Sequence, residues 1–284
     1  MSKAAQFRHL LASGRLVKAV GAHNPLGARL VEQSGFDAIW ASSLELSTSL
    51  ALPDAGILTM TEALESARSM TEATSIPVIA DCDTGYGHVA NVVHMVGRFE
   101  RSGIAAVCIE DKMLPKLNSF AGPNHDLVSI VEFGEKLTAA KRAQSTPEFT
   151  VIARTEALIA GCGVPEAVRR AEAYVEAGAD AILVHSRATD AEEIWSFLDR
   201  WRMPTPVVVV PTMYFRVHTA ELTARGVRMV IYANQGIRAA VRAMKDAFRE
   251  IQLAGSSSPV EPRIASLSEL FELQGMRAVL ESRR

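Results

Sequence analysis

One sequence pattern, which occurs four times, constrains the fold more than any other feature of this chain. In each copy a helical pattern ends in a glycine and a continuous apolar run follows, at residues 35–40, 103–110, 178–185 and 226–232. Glycine takes the left-handed conformation that closes a helix, and an uninterrupted apolar run is typical of a strand buried on both faces of a parallel sheet. Four further runs, at 16–22, 77–80, 150–153 and 206–210, bring the predicted strands to eight.

Amphipathic stretches alternate with these runs, at residues 25–34, 61–74, 89–102, 129–143, 165–177, 191–201, 219–224 and 237–252. Eight strands that alternate with helices favour a closed (β/α)8 TIM-type barrel over an open, doubly wound sheet. No glycine-rich dinucleotide fingerprint follows the first strand, which further weakens the open-sheet alternative. We therefore predict an α/β protein in which residues 1–253 form one barrel domain.

The chain continues beyond the last predicted helix of the barrel. Residues 254–262 are polar and include two prolines, which is typical of a stiffened linker. Ser266 and Glu269 have the spacing of a capping box and predict the start of one more helix. The apolar residues of this helix are Leu267, Leu270, Phe271, Leu273, Met276, Val279 and Leu280. A helix this apolar needs a surface to pack against, either its own barrel or a neighbouring subunit. We predict that residues 254–284, the linker and this helix, form a second unit after the barrel domain.

Composition excludes several classes of function. The chain has 30 Lys and Arg against 32 Asp and Glu, a formal net charge of −2, so no overall field attracts nucleic acid or anionic membrane. No apolar run reaches the roughly 18 residues that a membrane helix needs. The three cysteines, Cys82, Cys108 and Cys162, are odd in number and have no metal-finger spacing, which argues against a secreted disulfide framework. We expect a cytoplasmic protein without nucleic-acid or membrane partners.

Charged residues end several of the predicted strands. Asp81 and Asp83 follow one run with a period of two, which directs both side chains to the same side. Glu110, Arg154 and His185 end three other runs, and in a barrel all of these strand ends meet at one mouth. Carboxylate oxygens suit Mg²⁺, and the cationic and imidazole groups suit a phosphoryl or carboxylate group. The alternatives are that the acids cap helices around a simple turn and that the histidine is structural.

The segment that follows the fourth strand is long and polar. It covers residues 112–126 and is broken by Pro115, Gly122 and Pro123. These features favour a lid over the active site, whereas a plain surface loop is the alternative.

Taken together, these residues resemble the phosphoenolpyruvate mutase/isocitrate lyase superfamily. The resemblance runs from about residue 21 to the final helix and rests on Trp40-Ala-Ser42, Pro53-Asp54, Asp81-Cys-Asp83-Thr-Gly-Tyr-Gly87, Glu110-Asp-Lys112, Asn118-Ser119, Arg154 and His185. Within the superfamily, Glu-Asp-Lys followed five residues later by Asn-Ser is similar to the phosphoenolpyruvate mutases. Residues 22–26 and 32–35 are similar to the phosphonopyruvate hydrolases.

The resemblance implies a site for Mg²⁺ and a small pyruvyl substrate, either phosphonopyruvate or phosphoenolpyruvate. It places the metal on Asp81 directly and, through water molecules, on Asp54, Asp83 and Glu110. The implied substrate-binding residues are Trp40, Ser42, Ser43 and Asp81. The implied catalytic residues are Asp54, Lys116, Asn118, Ser119, Arg154 and His185, of which the loop residues close over the substrate.

Two departures from the relatives bear on this expectation. Where relatives carry Trp-Gly-Ser-Gly after the second strand, this chain has Trp40-Ala41-Ser42-Ser43, which reduces the backbone freedom of the substrate pocket. Isocitrate and methylisocitrate lyases carry a catalytic cysteine in the loop, whereas residues 115–119 contain none. A carbon–carbon lyase is therefore disfavoured, and an oxaloacetate hydrolase is only a distant alternative.

The implied activity is the interconversion of phosphoenolpyruvate and phosphonopyruvate. The main alternative is hydrolysis of phosphonopyruvate to pyruvate and phosphate: Asn118 favours the mutase, and similarity elsewhere in the chain favours the hydrolase. A binding protein that keeps the barrel without the chemistry is a third alternative, but it has no need of the full charged set. The superfamily also implies a homotetramer, a dimer of helix-swapped dimers, in which the terminal helix packs on a partner subunit.

Overall fold

The computed structural model describes residues 1–122 and 125–282. The break predicted at Pro123 lies outside the described residues. The chain divides into two compact units, Met1–Gln235 and Gly236–Arg284. The first unit contains the whole sheet, and the second contains helices.

The sheet of the first unit is a closed barrel of eight parallel strands in sequence order. Its strands are β1 (Val17–Ala22), β2 (Ala38–Ala41), β3 (Val78–Asp81), β4 (Ala106–Glu110), β5 (Thr150–Thr155), β6 (Ala181–Val184), β7 (Val207–Val209) and β8 (Met229–Tyr232). The barrel closes where β1 pairs with β8, with Val17 opposite Met229. This topology confirms the predicted (β/α)8 fold.

Helices follow the strands around the barrel. Those of the first unit are α1 (Lys3–Ala12), α2 (Pro25–Gln33), α3 (Ser43–Ser49), α4 (Met60–Ala73), α5 (Val89–Arg101), α6 (Ile130–Ala143), α7 (Gly163–Glu176), α8 (Glu192–Leu198) and α9 (Thr219–Ala224). All of the helices predicted within this unit are present. The sequence analysis did not predict α1 or α3. The hydroxyl of Ser42 caps α3 by accepting from the Glu45 amide, so this short helix begins immediately after β2.

Alternating residues of the strands form two apolar layers. The side chains that fill the barrel include Val17, Ala19, Ala38, Trp40, Ile79, Ala106, Cys108, Ile152, Ala181, Leu183, Val208, Met229 and Ile231. Phe7 and Leu11 of α1 belong to the same buried cluster. The intervening strand residues, such as Ile39 and Ala41, pack outward with the surrounding helices. Helix α1 thus buries its apolar side chains with the residues that begin the strands.

The second unit consists of α10 (Gln235–Ala254), a 3-10 turn (Glu261–Arg263), α11 (Leu267–Gln274) and α12 (Met276–Glu281). Ser266 caps α11, as predicted. The sequence analysis expected one helix here, but Gly275 adopts a left-handed conformation (φ 72°) that ends α11 and separates it from α12. The predicted boundary at residue 253 falls at the end of α10, whereas the compact unit begins near its start. Of the helices that residues 1–122 and 125–282 form, none combines the length and apolar character needed to cross a membrane.

Candidate active site

A small cavity lies at the carboxyl end of the barrel, as predicted for this fold. Its volume is about 50 Å³. The predicted site residues that line it are Trp40, Ser42, Ser43, Asp54, Asp81, Lys116, Asn118, Ser119, Arg154 and His185. Asp83 and Glu110 do not line the cavity but pair with the lining residues Lys116 and Arg154. The structure therefore brings the predicted residues together.

An acidic cluster forms one side of the site, and the loop residue Lys116 lies within it. The Lys116 ammonium is 2.9 Å from Asp54 Oδ1 and 2.7 Å from Asp83 Oδ1, and its side chain is 5% exposed. Burial alone would lower the pKa of Lys116, but Asp83, Glu110 and Asp54 raise it well above its usual value. Because Lys116 and Asn118 outweigh burial at Asp54, the pKa of that carboxyl is lowered. Lys116 is therefore charged, and it neutralises this cluster.

Asp83 reaches the site by a different backbone route from the one that the sequence suggested. Strand β3 ends at Asp81, and Asp83 lies in the left-handed region with φ 50°. Asp83 is thus part of a turn and does not continue the alternation of the strand. Its amide donates to Asp81 Oδ1 at 3.4 Å, so the two residues are still in contact.

The loop residue Asn118 docks on Asp54 through two hydrogen bonds. Its side-chain amide donates to Asp54 Oδ2 at 2.6 Å, and its backbone amide donates to the Asp54 carbonyl at 3.0 Å. Further along the loop, the Phe120 ring packs edge-on against His185, with 5.4 Å between the ring centroids. The loop therefore covers the cavity, which agrees with the lid predicted over residues 112–126, of which the structure describes 112–122 and 125–126.

A second charged cluster surrounds Arg154, which also lines the cavity. Its guanidinium Nε lies 3.2 Å from Glu110 Oε2 and 2.5 Å from Glu156 Oε1. Its Nη2 donates to the Ser119 hydroxyl at 3.0 Å, which ties the loop to β5. Although burial alone would raise the pKa of Glu156, Arg154 and His185 hold it well below its usual range. Arg154 is thus oriented by two carboxylates and a loop hydroxyl.

Arg154 and Glu156 both contact the Nδ1 atom of His185. Burial lowers the pKa of His185, and the adjacent Arg154 lowers it further, so the ring is neutral. Arg154 Nη2 lies 2.7 Å from His185 Nδ1. Glu156 Oε1 lies 2.9 Å from the same nitrogen. A guanidinium can only donate and a carboxylate can only accept, so these two contacts favour opposite tautomers of the ring. Among the described residues nothing forms a hydrogen bond with Nε2, although the side chain lines the cavity. Nε2 is therefore the ring nitrogen of His185 that is available to a bound ligand.

The start of α3 supplies the remaining wall of the cavity. The Ser43 hydroxyl donates to Asp81 Oδ2 at 3.0 Å. Neither Ala41 nor Ser43 is among the non-glycine residues with positive φ in the part of the chain that the structure describes. The replacement of the relatives' glycines by Ala41 and Ser43 therefore requires no strained backbone.

Two charged residues near the site were not predicted to take part in it. Glu156 is fully buried and accepts the Ser119 hydroxyl at 2.5 Å. The predicted strand stopped at residue 153, whereas β5 continues to Thr155. Glu156 follows Arg154 by two residues. The alternation of side chains along a longer strand would therefore have placed it on the same side as Arg154. Lys112 belongs to the Glu110-Asp-Lys112 motif but had no predicted role in the site, and its ammonium lies 3.1 Å from Glu156 Oε2.

The acidic residues have the chemistry of a site for a hard cation. Burial raises the pKa of Asp81, with a further contribution from Asp83, and burial raises the pKa of Glu110 to about 7. Glu110 Oε1 has no hydrogen-bond partner among the described residues. Buried carboxylate oxygens fit Mg²⁺, although in this structure Lys116 lies 2.7 Å from Asp83 and Arg154 lies 3.2 Å from Glu110. Within residues 1–122 and 125–282, however, no three Asp, Glu, His or Cys side chains form a group that could hold a metal.

Comparison with known proteins places the chain in a family. The family model for phosphoenolpyruvate phosphomutase matches residues 7–252. The phosphonopyruvate hydrolase of Variovorax sp. is 48% identical, over 98% of both chains. The crystal structure of a phosphoenolpyruvate phosphomutase from Streptomyces platensis has a TM-score of 0.97 and 53% identity, covering 98% of this chain and 97% of that one. A phosphonopyruvate hydrolase solved with oxalate and Mg²⁺ has a TM-score of 0.93 and 47% identity, covering 98% of each chain. The chain therefore belongs to the phosphoenolpyruvate phosphomutase family, as its motifs predicted.

Proposed function

We propose that this protein is a Mg²⁺-dependent phosphoenolpyruvate phosphomutase, which interconverts phosphoenolpyruvate and phosphonopyruvate. The observation that carries the proposal is the position of Asn118. It lines the cavity together with Arg154 and His185, and two hydrogen bonds to Asp54 hold it there. An amide fixed at this place can keep a phosphoryl group oriented without itself reacting with it.

The cavity offers different groups at its two sides. Ser42, Ser43 and Trp40, at the end of β2 and the start of α3, suit the carboxylate and carbonyl oxygens of a pyruvyl group. The Arg154 guanidinium suits the phosphoryl oxygens, and His185 Nε2 can donate to them in the tautomer that carries its proton on that nitrogen. This division matches a substrate with a pyruvyl group at one end and a phosphoryl group at the other.

In the proposed reaction, the carbon–phosphorus bond of phosphonopyruvate breaks and its electron pair remains on carbon, which gives pyruvate enolate. The phosphoryl group then forms a bond with the enolate oxygen and yields phosphoenolpyruvate. Arg154 and His185 stabilise the negative charge on the phosphoryl oxygens during this transfer. Lys116, Asn118 and Ser119 keep water away while the two fragments recombine.

Asp81, Asp83 and Glu110 are the proposed holders of Mg²⁺, with Asp54 beside them. The proposal is supported by the burial of Asp81, Asp83 and Glu110 and by the structural relative that contains oxalate and Mg²⁺. When bound, the ion supplies positive charge that stabilises an enolate. We expect Asp81→Ala to lose Mg²⁺-dependent turnover, and turnover that persists with the same Mg²⁺ dependence would remove Asp81 from the metal site.

Hydrolysis of phosphonopyruvate is the second candidate. It is favoured by the hydrolase relative, which is 48% identical over 98% of this chain. In that reaction, water takes the phosphoryl group in place of the enolate oxygen. An oxaloacetate hydrolase or another 2-oxo acid lyase is a distant third, because residues 115–119 of the loop include no cysteine.

Phosphorus NMR of the purified protein with phosphonopyruvate and Mg²⁺ distinguishes the candidates. The mutase predicts that phosphoenolpyruvate appears before phosphate and that a chelator abolishes the conversion. Direct appearance of phosphate with pyruvate would establish the hydrolase instead. Inert phosphonopyruvate, together with cleavage of oxaloacetate, would support the lyase-like alternative.

We also propose that the protein is a cytoplasmic homotetramer, a dimer of dimers that exchange their terminal helices. The proposal is supported by large exposed apolar side chains in the second unit, which include Phe248, Leu253, Leu267, Phe271 and Leu280. Burial of such a surface against a partner is the usual way to remove it from water. Light scattering should give four times the chain mass for the wild type and a smaller mass for Phe271→Glu. A monomeric wild type would exclude the exchange.

A further inference from the structure

The buried ammonium of Lys112, at the start of the loop, contacts two residues further along the loop, Leu117 and Ser119. The side chain is 2% exposed. Its Nζ donates to the Leu117 carbonyl at 2.9 Å and to the Ser119 hydroxyl at 2.7 Å. It also lies 3.1 Å from Glu156 Oε2. One ammonium group thus joins two points of the loop to a buried carboxylate at the end of β5.

The backbone of Lys112 is itself fixed. Lys112 forms an antiparallel bridge with Leu127, and the Met113 amide donates to the Asp126 carbonyl at 2.8 Å. Lys112 follows β4 directly, because only Asp111 separates it from Glu110, the last residue of the strand. The backbone of Lys112 is therefore held at the base of the loop, and its ammonium extends from there to Leu117 and Ser119.

Ser119 shows how this contact reaches the substrate cavity. Its hydroxyl donates to Glu156 and accepts from both Lys112 and Arg154. Ser119 lines the cavity, whereas Lys112 does not. Without the lysine, Ser119 loses one of its partners and the Leu117 carbonyl loses its side-chain donor. Glu156 also loses a buried positive charge, which makes the closed loop less favourable.

We propose that Lys112 is a positioning residue that keeps the loop closed and thereby sets how the phosphoryl group divides between the enolate and water. This inference rests on the proposed mutase function. In the productive route the phosphoryl group bonds to the enolate oxygen. In the competing route it bonds to a water oxygen, the water releases a proton, and protonation of the enolate carbon gives pyruvate together with phosphate.

The test compares Lys112→Gln with the wild type and with a matched control, Lys141→Gln. Lys141 also pairs with a carboxylate, at 2.7 Å from Asp180 Oδ2, but it lies outside the cavity lining and the loop. Phosphorus NMR with phosphonopyruvate and Mg²⁺ gives the ratio of phosphate to phosphoenolpyruvate in the initial phase. Digestion with chymotrypsin, read by mass spectrometry at Leu117 and Phe120, reports how often the loop opens. Lys112→Met, which keeps the apolar stem, replaces the glutamine variant if thermal unfolding shows that the latter is not folded.

We expect the phosphate ratio of Lys112→Gln to rise about tenfold, because the loss of one charge-assisted contact shifts an equilibrium by about this factor. We also expect its loop to be cleaved faster, while Lys141→Gln matches the wild type in both measurements. An unchanged ratio in a folded Lys112 variant would overturn the inference and leave the mutase function standing. If the wild type itself releases only phosphate and pyruvate, the mutase proposal fails. Loop cleavage then decides the role of Lys112, since faster cleavage of the variant supports it and unchanged cleavage overturns it.

Discussion

The two ends of the barrel are closed in opposite ways. At the amino-terminal end, Phe7 and Leu11 of α1 are buried in an apolar cluster with residues that begin the strands. The ion pair that α1 forms there, between Arg8 and Asp180, leaves the Arg8 side chain 39% exposed. At the carboxyl end, the paired side chains of Lys112 and Glu156 are 2% and 0% exposed. One end is closed by apolar packing, and the other by buried charges that neutralise one another.

This difference separates stability from chemistry. Apolar burial is non-directional and contributes roughly in proportion to area, so α1 can stabilise the barrel without affecting the site. A buried charge, in contrast, depends on each of its partners, and loss of one partner leaves the others uncompensated. We therefore expect substitutions at the amino-terminal end to lower the free energy of unfolding and those at the carboxyl end to lower turnover.

Arg154→Met should have the largest effect on turnover. It removes the guanidinium proposed to bind the phosphoryl group and also the partner of Glu110 and Glu156. We expect kcat/KM for phosphonopyruvate to fall by about 10³-fold, as for loss of a group that stabilises transition-state charge. The rate of phosphoenolpyruvate formation, measured by phosphorus NMR or a coupled assay, checks this expectation.

Arg154→Lys is the control for the charge itself. It keeps a positive group near the two carboxylates but loses the planar fork that can contact the phosphoryl oxygens and Ser119 together. Its turnover should fall clearly while its thermal midpoint stays close to that of the wild type. A lysine variant with wild-type turnover would show that general charge, and not the geometry of Arg154, supports the reaction.

Phe7→Ala should show the opposite behaviour at the amino-terminal end. The Phe7 ring is fully buried, and its removal leaves a cavity in the cluster that closes this end of the barrel. We expect the free energy of unfolding to fall by about 3–4 kcal/mol. Urea denaturation measures this loss, and kcat/KM per folded molecule should stay unchanged below the unfolding range. A large loss of kcat/KM in the folded variant would mean that the two ends are coupled.

The same contrast explains which parts of the fold the sequence could predict. The strands were predicted because a continuous apolar run depends only on local residues and on burial by both layers. Helix α3 was missed because its seven residues contain three serines and a threonine, and they follow β2 without the usual loop. The break at Gly275 was missed because the apolar pattern continues across it, although glycine is the residue that commonly ends a helix.

The site could be predicted only in part. Strand-end residues such as Asp81, Arg154 and His185 meet because parallel strands bring their carboxyl ends to one edge. The placement of Lys116 between Asp54 and Asp83 depends on how the loop docks, and no local pattern in the sequence encodes it. Asp83 likewise reaches its position through a left-handed turn and not through the alternation that suggested it. Local periodicity thus indicated the residues but not their pairing.

Titration of Glu110, at the carboxyl end of the barrel, should make the free energy of unfolding depend on pH. Burial raises the pKa of Glu110 to about 7, above the value of 4.5 expected in the unfolded chain. The folded protein therefore binds more protons than the unfolded protein between these pH values. The free energy of unfolding should fall as the pH rises from 4.5 to 7, and Glu110 contributes up to about 3 kcal/mol to this fall. Urea denaturation at a series of pH values, without Mg²⁺, measures it.

Glu110→Gln isolates this contribution, because an amide does not titrate. The difference in stability between the variant and the wild type should grow with pH in the variant's favour. Mg²⁺ should stabilise the wild type more at pH 7.5 than at pH 5, since the proposed site holds the ion through ionised carboxylates. If the two proteins have parallel pH profiles, Glu110 does not titrate in this range and the buried-charge description of this end is wrong.

The smallest effect is expected where α1 is tied to the barrel by a polar contact. Lys3 Nζ donates to the Thr71 and Thr74 carbonyls at the end of α4, while burial lowers the pKa of Lys3. Lys3→Met keeps the stem and removes the donor, so the free energy of unfolding should fall by about 1 kcal/mol. Arg15→Met, which removes a half-exposed ion pair with Asp37, should cost about 0.5 kcal/mol or less. Both variants should keep the wild-type kcat/KM, because neither contact involves a residue that lines the cavity. If Lys3→Met loses turnover while it remains folded, the position of α1 influences the catalytic mouth, and the separation between the two ends does not hold.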